Sequence, residues 1–240
     1  MWGVDAWVTL AAAAVRTGRI RLGTMITPLS RMRPWKLASE TTTLDNLSNG
    51  RVILSVGLGA TDTGFEAFGE VTDRRTRAEL LDEGLDILTG LWRGQPFRYQ
   101  GKHYHIKETT FSPPPQPVQK PHIPIWVVGA WFSEKSMQRA ATYDGLLPNM
   151  LGGDGRVQMR MPAADEIRAM KIWIGEHRTS ATPFDIVLEQ HTPGDDPARA
   201  ASIARSWADA GATWLLEADW TAQGPGPVLD RVRQGPPRGK

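Results

Sequence analysis

The sequence predicts an α/β protein built on a parallel sheet, and three observations predict it. A unit recurs along the 240 residues: a helix, a stop, then a short apolar strand. The strands are apolar on both faces, as in a covered parallel sheet; "RVILSVGLG" at 51–59 is the clearest case. The strands end on glycine or a polar residue at their C-terminal side, at Gly23-Thr24, Gly57, Gly129, Asn149 and Glu217. An open doubly wound sheet and a (β/α)8 barrel both satisfy the first two observations. The third favours the barrel, whose enzymes place their sites on that edge. The dinucleotide fingerprint of open sheets is incomplete here. "VGLGATDTG" has Gly57 and Gly59 but no third glycine at the required spacing, and no helix opens there.

The elements follow in order. Asp5 suits the N-cap of a helix running to about Thr17, with Gly18 as its stop. The strand Arg19–Thr24 comes next. Its apolar alternation breaks at Gly23-Thr24 within "RIRLGTMITPLSRMRP", so an irregularity is expected at the strand's end. Pro34 fits the first position of a helix, which Leu37, Ala38, Leu44 and Leu47 continue to Asn49-Gly50. After the strand at 51–59, Thr76 and Glu79 read as a capping box for a helix to about Trp92.

Residues 95–121 break the rhythm with a hairpin, "FRYQGKHYHI", turning at Gly101, and with prolines at 113–115. So long a connection is expected to be functional: a hinged lid whose Tyr99, Tyr104 and Phe111 face a substrate. The unit then resumes. The strand "IPIWVVGA" leads to a helix over Ser133–Tyr143, and "DGLLPN" is a short strand before a glycine-rich loop. The helix Ala164–His177, the strand "FDIVLEQ", the helix Pro197–Ala210 and the strand "TWLLEA" complete it, with Gly211 ending the last helix. The expectation is one barrel domain of six strands over 1–220, with the lid at about 95–121. The tail 221–240 is expected to hold at most a short helix and to fray.

With 40% hydrophobic and 22% charged residues and a net charge of +2, the chain has an ordinary globular balance. No long Lys/Arg block points to nucleic acid. "RMR" and "DRRTR" read as solvated surface, with one of Arg74, Arg75 and Arg77 within possible reach of a phosphate. The absence of cysteine removes disulfides, thiolate nucleophiles and Cys-ligated metals. No apolar run approaches the ~20 residues of a membrane span. "WVTLAAAAV" lacks the basic flank of a signal peptide, since Asp5 stands there. A cytoplasmic protein without membrane, nucleic acid or metal is the expectation. His103 and His105 alone do not make a zinc site, and no Gly-x-Ser-x-Gly elbow supports serine hydrolysis.

Phosphate binding is the chemistry the residues support best. "VVGAWFSEKSM" takes a strand through Gly129-Ala130 and opens a helix at Ser133. Free N–H groups and positive potential at such a terminus suit a phosphate, with Ser133 or Ser136 adding a hydroxyl. The competing role for Ser133 is to cap its own helix. Trp131 and Phe132 stand beside this turn, where aromatics either line a cleft or fill a core.

Six segments then occur in register: "RIRLGTMITPL", "PWKLASETTTLDNLSNGRVILSVGLG", "FEAFGE", "ILTGLWRG", "PIWVVGA" and "AATYDGLLPN". Together they resemble the bacterial luciferase-like monooxygenases, a family of flavin- and deazaflavin-dependent oxidoreductases. The resemblance runs from about Asp5 to Glu217. It implies a (β/α)8 barrel incomplete at the N-terminus, with six of eight strands. The family's first strand–helix–strand, and the histidine on its second strand, have no counterpart here, so no catalytic base is assigned. It implies FMN as cofactor, with the deazaflavin coenzyme F420 as the alternative. Gly129, Ala130, Ser133 and Ser136 would hold the phosphate. Thr24, Met25 and Ile26 would back the ring, with a non-prolyl cis peptide at Met25–Ile26, and Gly57 and Gly59 would border it. Phe65, Trp131, Phe111, Asn149 and Glu217 would line the substrate side. The implied activity is that of a flavin-dependent monooxygenase or oxidoreductase acting on a small organic substrate, with reduced flavin from a separate reductase. Deazaflavin relatives transfer a hydride instead, and a non-catalytic flavin-binding protein of the same fold is the rival. Six strands leave open edges, so a homodimer is expected.

Overall fold

The computed structural model describes residues 5–110, 116–154, 156–158 and 160–237. Phe111, the prolines at 113–115 and Gly155 lie outside the described residues. By internal contacts the chain forms two units, 1–127 and 128–240.

The first unit opens with α1 (Ala6–Arg16), capped as expected by Asp5, whose Oδ1 accepts from the Val8 N–H at 2.9 Å. The strand after it is interrupted. β1 (Leu22–Gly23) and β2 (Thr27–Pro28) both run parallel to β3 (Val52–Gly57). Gly23 pairs with Ile53 and Thr27 with Val56. Three residues, Thr24 to Ile26, therefore stand opposite two, Leu54 and Ser55. That mismatch is a bulge, and it explains the broken alternation. A 3-10 turn (Leu29–Arg31) leads into α2 (Pro34–Ser48), and α3 (Arg74–Arg93) follows β3. β3 is buried along its whole length and pairs on its other side with Ile125–Val127, the start of β6 (Ile125–Trp131). Leu37, Leu54, Val56, Leu81, Leu85 and Leu88 form the core between helices and sheet.

Arg51, at the entry of β3, is 9% exposed and donates from all of its guanidinium nitrogens. Nε reaches Ser48 O at 2.7 Å. Nη1 reaches Thr17 Oγ1 and Ile20 O, and Nη2 reaches Ala14 O and Thr17 O, all at 2.8–3.0 Å. Five donors thus meet five acceptors, several of them carbonyls that the end of α1 leaves open.

α3 begins two residues before the expected capping box. Asp73 is its cap, accepting from the Thr76 N–H at 2.7 Å. Glu79 has another task. With Glu83 and Asp86 it forms a stripe along α3, opposite Leu81, Leu85 and Leu88, and the hairpin of β4 (Phe97–Gln100) and β5 (His105–Thr109) is strapped to that stripe. Glu83 accepts from the N–H groups of Lys102, His103 and Tyr104. Glu79 accepts from Lys102 Nζ at 2.7 Å and meets His103 Nε2 at 2.9 Å. Tyr99 donates its hydroxyl to Asp86 at 3.3 Å. Below the hairpin, Gln119 is fastened to the buried Asp45 by two bonds and to Val52 O by a third. Within the segment expected to move as a hinged lid, Tyr99, Lys102–Tyr104 and Gln119 are thus tied to α3, α2 and β3.

Lys102, then His103, hold the Glu79 carboxyl down to about 2, below its ordinary 4.5. A depressed carboxylate supports the docked hairpin fully above about pH 4.5, and that support is lost as pH falls towards 2. A carboxyl NMR titration should give Glu79 a midpoint near 2, rising towards the ordinary value in Lys102→Ala. A midpoint near 4.5 in the unmutated protein would contradict this docking.

In the second unit the strand order is β6, β7 (Gly145–Leu151), β9 (Asp185–Gln190), β10 (Trp214–Glu217), with β7–β9 and β9–β10 parallel. The helices α4 (Glu134–Thr142), α5 (Ala164–His177) and α6 (Pro197–Ala210) come between successive strands. α5 and α6 have the bounds read from sequence. One feature was not anticipated. β8 (Val157–Gln158) folds back antiparallel on β7. The tail forms α7 (Pro225–Gln234), anchored by Arg231, whose Nε donates to Thr192 O at 3.0 Å.

Candidate cofactor site

In the first unit the strand ends gather the polar and irregular residues singled out above. Thr24 and Thr27 are buried, and their hydroxyls meet at 2.6 Å across the bulge. The Met25–Ile26 peptide between them is cis, as the resemblance implied. Met25 is 41% exposed. Gly57 closes β3 opposite Pro28. Gly59 has φ 75, and a Cβ there would lie 2.7 Å from Pro28 Cβ and 2.9 Å from Phe65 Cζ, so only glycine fits.

Phe65 departs from expectation. It is 1% exposed, with Arg31 at 4.4 Å and Arg77 at 5.5 Å from its ring centroid. It is the core of its own loop and lines no open face. Arg77 is not available to a phosphate either: its Nη1 donates to Leu58 O and Gly59 O at 3.0 and 2.9 Å. A separate groove of about 530 Å³ is lined by Trp35, Phe97, Tyr104 and Ile106 among others, and Tyr104 is one of the lid aromatics read as facing a substrate.

In the second unit the turn from β6 to α4 carries the anion-binding features. Gly129 is buried where a Cβ would sit 2.3 Å from Leu146 Cδ1 and 3.2 Å from Met137 Sδ. Its role is to let α4 pack closely on the strand. Ala130, 5% exposed, donates its N–H to Ser136 Oγ at 2.9 Å. The Ser136 hydroxyl is thus an acceptor within the turn and keeps its own proton to donate. Ser133 stands at the N-cap in extended conformation but makes no side-chain bond to its helix. The expectation that it merely caps α4 is not realised. Its N–H goes to Ala130 O at 2.9 Å, and Met137 is the first helical N–H bonded back, to Ser133 O. The N–H groups of Glu134, Lys135 and Ser136 are the orphan donors of a first turn, with the Ser133 hydroxyl beside them.

Of the expected substrate-side residues here, Trp131 is half-buried and Asn149 exposed. The Glu217 carboxylate is already engaged. Thr192 N–H and His191 Nδ1 lie 2.8 and 3.1 Å from Oε1. Thr192 Oγ1 and Arg231 Nη2 lie 2.6 and 2.9 Å from Oε2. Glu217 thus accepts from Thr192 and Arg231 and lies beside His191. One of them, His191, was not singled out from sequence. His191 lies beside this carboxylate with its side chain 54% exposed. The one available signal was its place, a residue past the end of β9.

A parallel strand–helix repeat whose irregular and polar residues collect at the strand ends defines the (β/α)8-barrel class. The chain belongs to the luciferase-like monooxygenase family, which matches residues 1–229. The chain spans about half the length of the first curated relatives it matches, mycobacterial proteins 37% identical over 138 residues; that match covers 56% of this chain and 46% of theirs. It is 31% identical over 123 residues to the oxygenase component of the flavin-dependent trigonelline monooxygenase of Acinetobacter baylyi, covering 51% of this chain and 33% of that one. It is 27% identical over 241 residues to the F420-dependent glucose-6-phosphate dehydrogenase of Nakamurella multipartita, covering 88% and 68%. Among solved structures, the oxygenating constituent of 3,6-diketocamphane monooxygenase of Pseudomonas putida, in complex with FMN, superposes with a TM-score of 0.71 at 16% identity. That superposition covers 96% of this chain and 82% of that one. No described helix is long and apolar enough to cross a membrane.

Proposed function

We propose that the chain works as a flavin-dependent oxidoreductase with FMN as its cofactor, acting on a small organic substrate. The observation that carries this reading is the β6–α4 turn, where the Ser133 hydroxyl leaves its own helix uncapped beside three unused first-turn N–H groups. That donor set fits a phosphate. Bound there, FMN would supply the redox chemistry, as cofactors of this kind do. The chain's part is to hold the phosphate and keep the turn rigid through Ala130 and Ser136. The oxygenase component among the relatives supports a separate flavin reductase as partner. A homodimer remains the proposed assembly, because β10 has β9 on one side only in the described sheet.

A second reading, hydride transfer with F420, is favoured by the glucose-6-phosphate dehydrogenase relative, whose match covers 88% of this chain. Equilibrium titration of the protein with FMN and with F420 tests both. Preferential binding of FMN supports the first reading and preferential binding of F420 the second. Binding of neither at micromolar concentration overturns both.

A further inference from the structure

Phe132 combines two unfavourable features in one residue. Its backbone has φ 72, a left-handed conformation that bulky residues rarely adopt. Its ring is 75% exposed, so the apolar surface gains nothing from burial. Only one other described non-glycine residue has positive φ: Asn49, at the C-terminal end of α2, where asparagine is a common terminator. No such role accounts for Phe132. The turn is closed by the bonds from Ala130 N–H to Ser136 Oγ and from Ser133 N–H to Ala130 O, neither of which involves Phe132. The ring lies against Trp131, centroid to centroid 5.3 Å at 43°. Glycine at this position would relieve the backbone and expose no apolar surface. The space between β6 and α4 is closed by Leu146, Met137 and Ala140 around Gly129, so the Phe132 ring is turned outward from the turn.

We infer that Phe132 is a ligand-contact residue that, with Trp131, presents an aromatic platform to the flat ring system of the cofactor held at the β6–α4 turn. This rests on the reading of that turn as the cofactor's phosphate site. Conjugated rings stack on such a surface, and the left-handed backbone is what directs the ring away from the core.

The test is fluorescence titration of FMN and of riboflavin into the unmutated protein and into Phe132→Ala, Phe132→Gly and Phe132→Tyr, with ligand-free thermal melts of all four. Alanine and glycine should each weaken both ligands about tenfold, while tyrosine keeps the platform and the affinity. Glycine should melt several degrees above alanine, because only glycine relieves the left-handed backbone. Unchanged affinities in both the alanine and the glycine variants would overturn the inference and leave the phosphate reading standing. A loss confined to FMN would also overturn it, since that pattern marks damage to the turn and not loss of a ring contact. If the unmutated protein binds neither FMN, riboflavin nor F420, the cofactor reading falls and this inference with it.

Discussion

Replacing Ser133 by aspartate is expected to keep the β6–α4 turn folded and to weaken FMN binding on the order of a hundredfold. The two effects have different causes. Ser133 already has the extended backbone of an N-cap, and its hydroxyl makes no bond to the helix. Aspartate is among the best N-caps, and its charge suits the positive end of α4, so ligand-free stability should hold or rise. The same carboxylate would then occupy the orphan N–H groups and set a negative charge against the phosphate. At about 4 Å and an effective dielectric near 20, two unit charges repel by roughly 4 kcal/mol, enough for a loss of that size. Riboflavin, without a phosphate, should bind much as before. A Ser133→Asp variant that binds FMN normally would place the phosphate somewhere other than this turn.

The largest effect on stability is expected from Arg51→Leu. The guanidinium joins the end of α1, the segment leading into β1 and the end of α2 through five bonds. Leucine fills part of the volume but leaves those carbonyls without their partner. Hydrogen bonds to a charged donor contribute about 1.5–3 kcal/mol each, and some of these carbonyls can turn to water, so a net loss of roughly 3 kcal/mol is expected. For a chain of this size that lowers Tm by roughly 6–12 °C. Arg51→Lys should recover less than half of the loss, because an ammonium cannot spread its donors over acceptors on three segments. A melt of Arg51→Leu within 2 °C of the unmutated protein would show that the network contributes little.

Most elements were legible because their signals are local. Pro197 and Gly211 bracket α6, and Asp5 caps α1, through chemistry confined to a few consecutive residues. The β6–α4 turn was readable for the same reason: strand, turn and helix follow one another without interruption. The bulge showed as a break in alternation at Gly23-Thr24, although the three-against-two count needs the partner strand. The misreadings came from partners distant in sequence. Glu79 looks like a capping-box residue until Lys102, 23 residues on, is seen to claim it. Glu217 reads from sequence only as a polar strand end, because its partners Thr192 and Arg231 are 25 and 14 residues away. Arg77 sits in a charged run that reads as solvated, and only the fold turns it inward to Leu58 and Gly59. The acidic stripe on α3 that holds Tyr99 and Lys102–Tyr104 of the hairpin was likewise not legible from loop length.

The central claim is that this chain anchors a flavin by its phosphate at the β6–α4 turn. Titration of the unmutated protein with FMN and riboflavin side by side, followed by flavin fluorescence, tests it most directly. FMN is expected to bind at least about tenfold more tightly than riboflavin, since the phosphate meets three N–H groups and a hydroxyl that riboflavin leaves unused. Equal affinities for the two, or tighter binding of riboflavin, would contradict it.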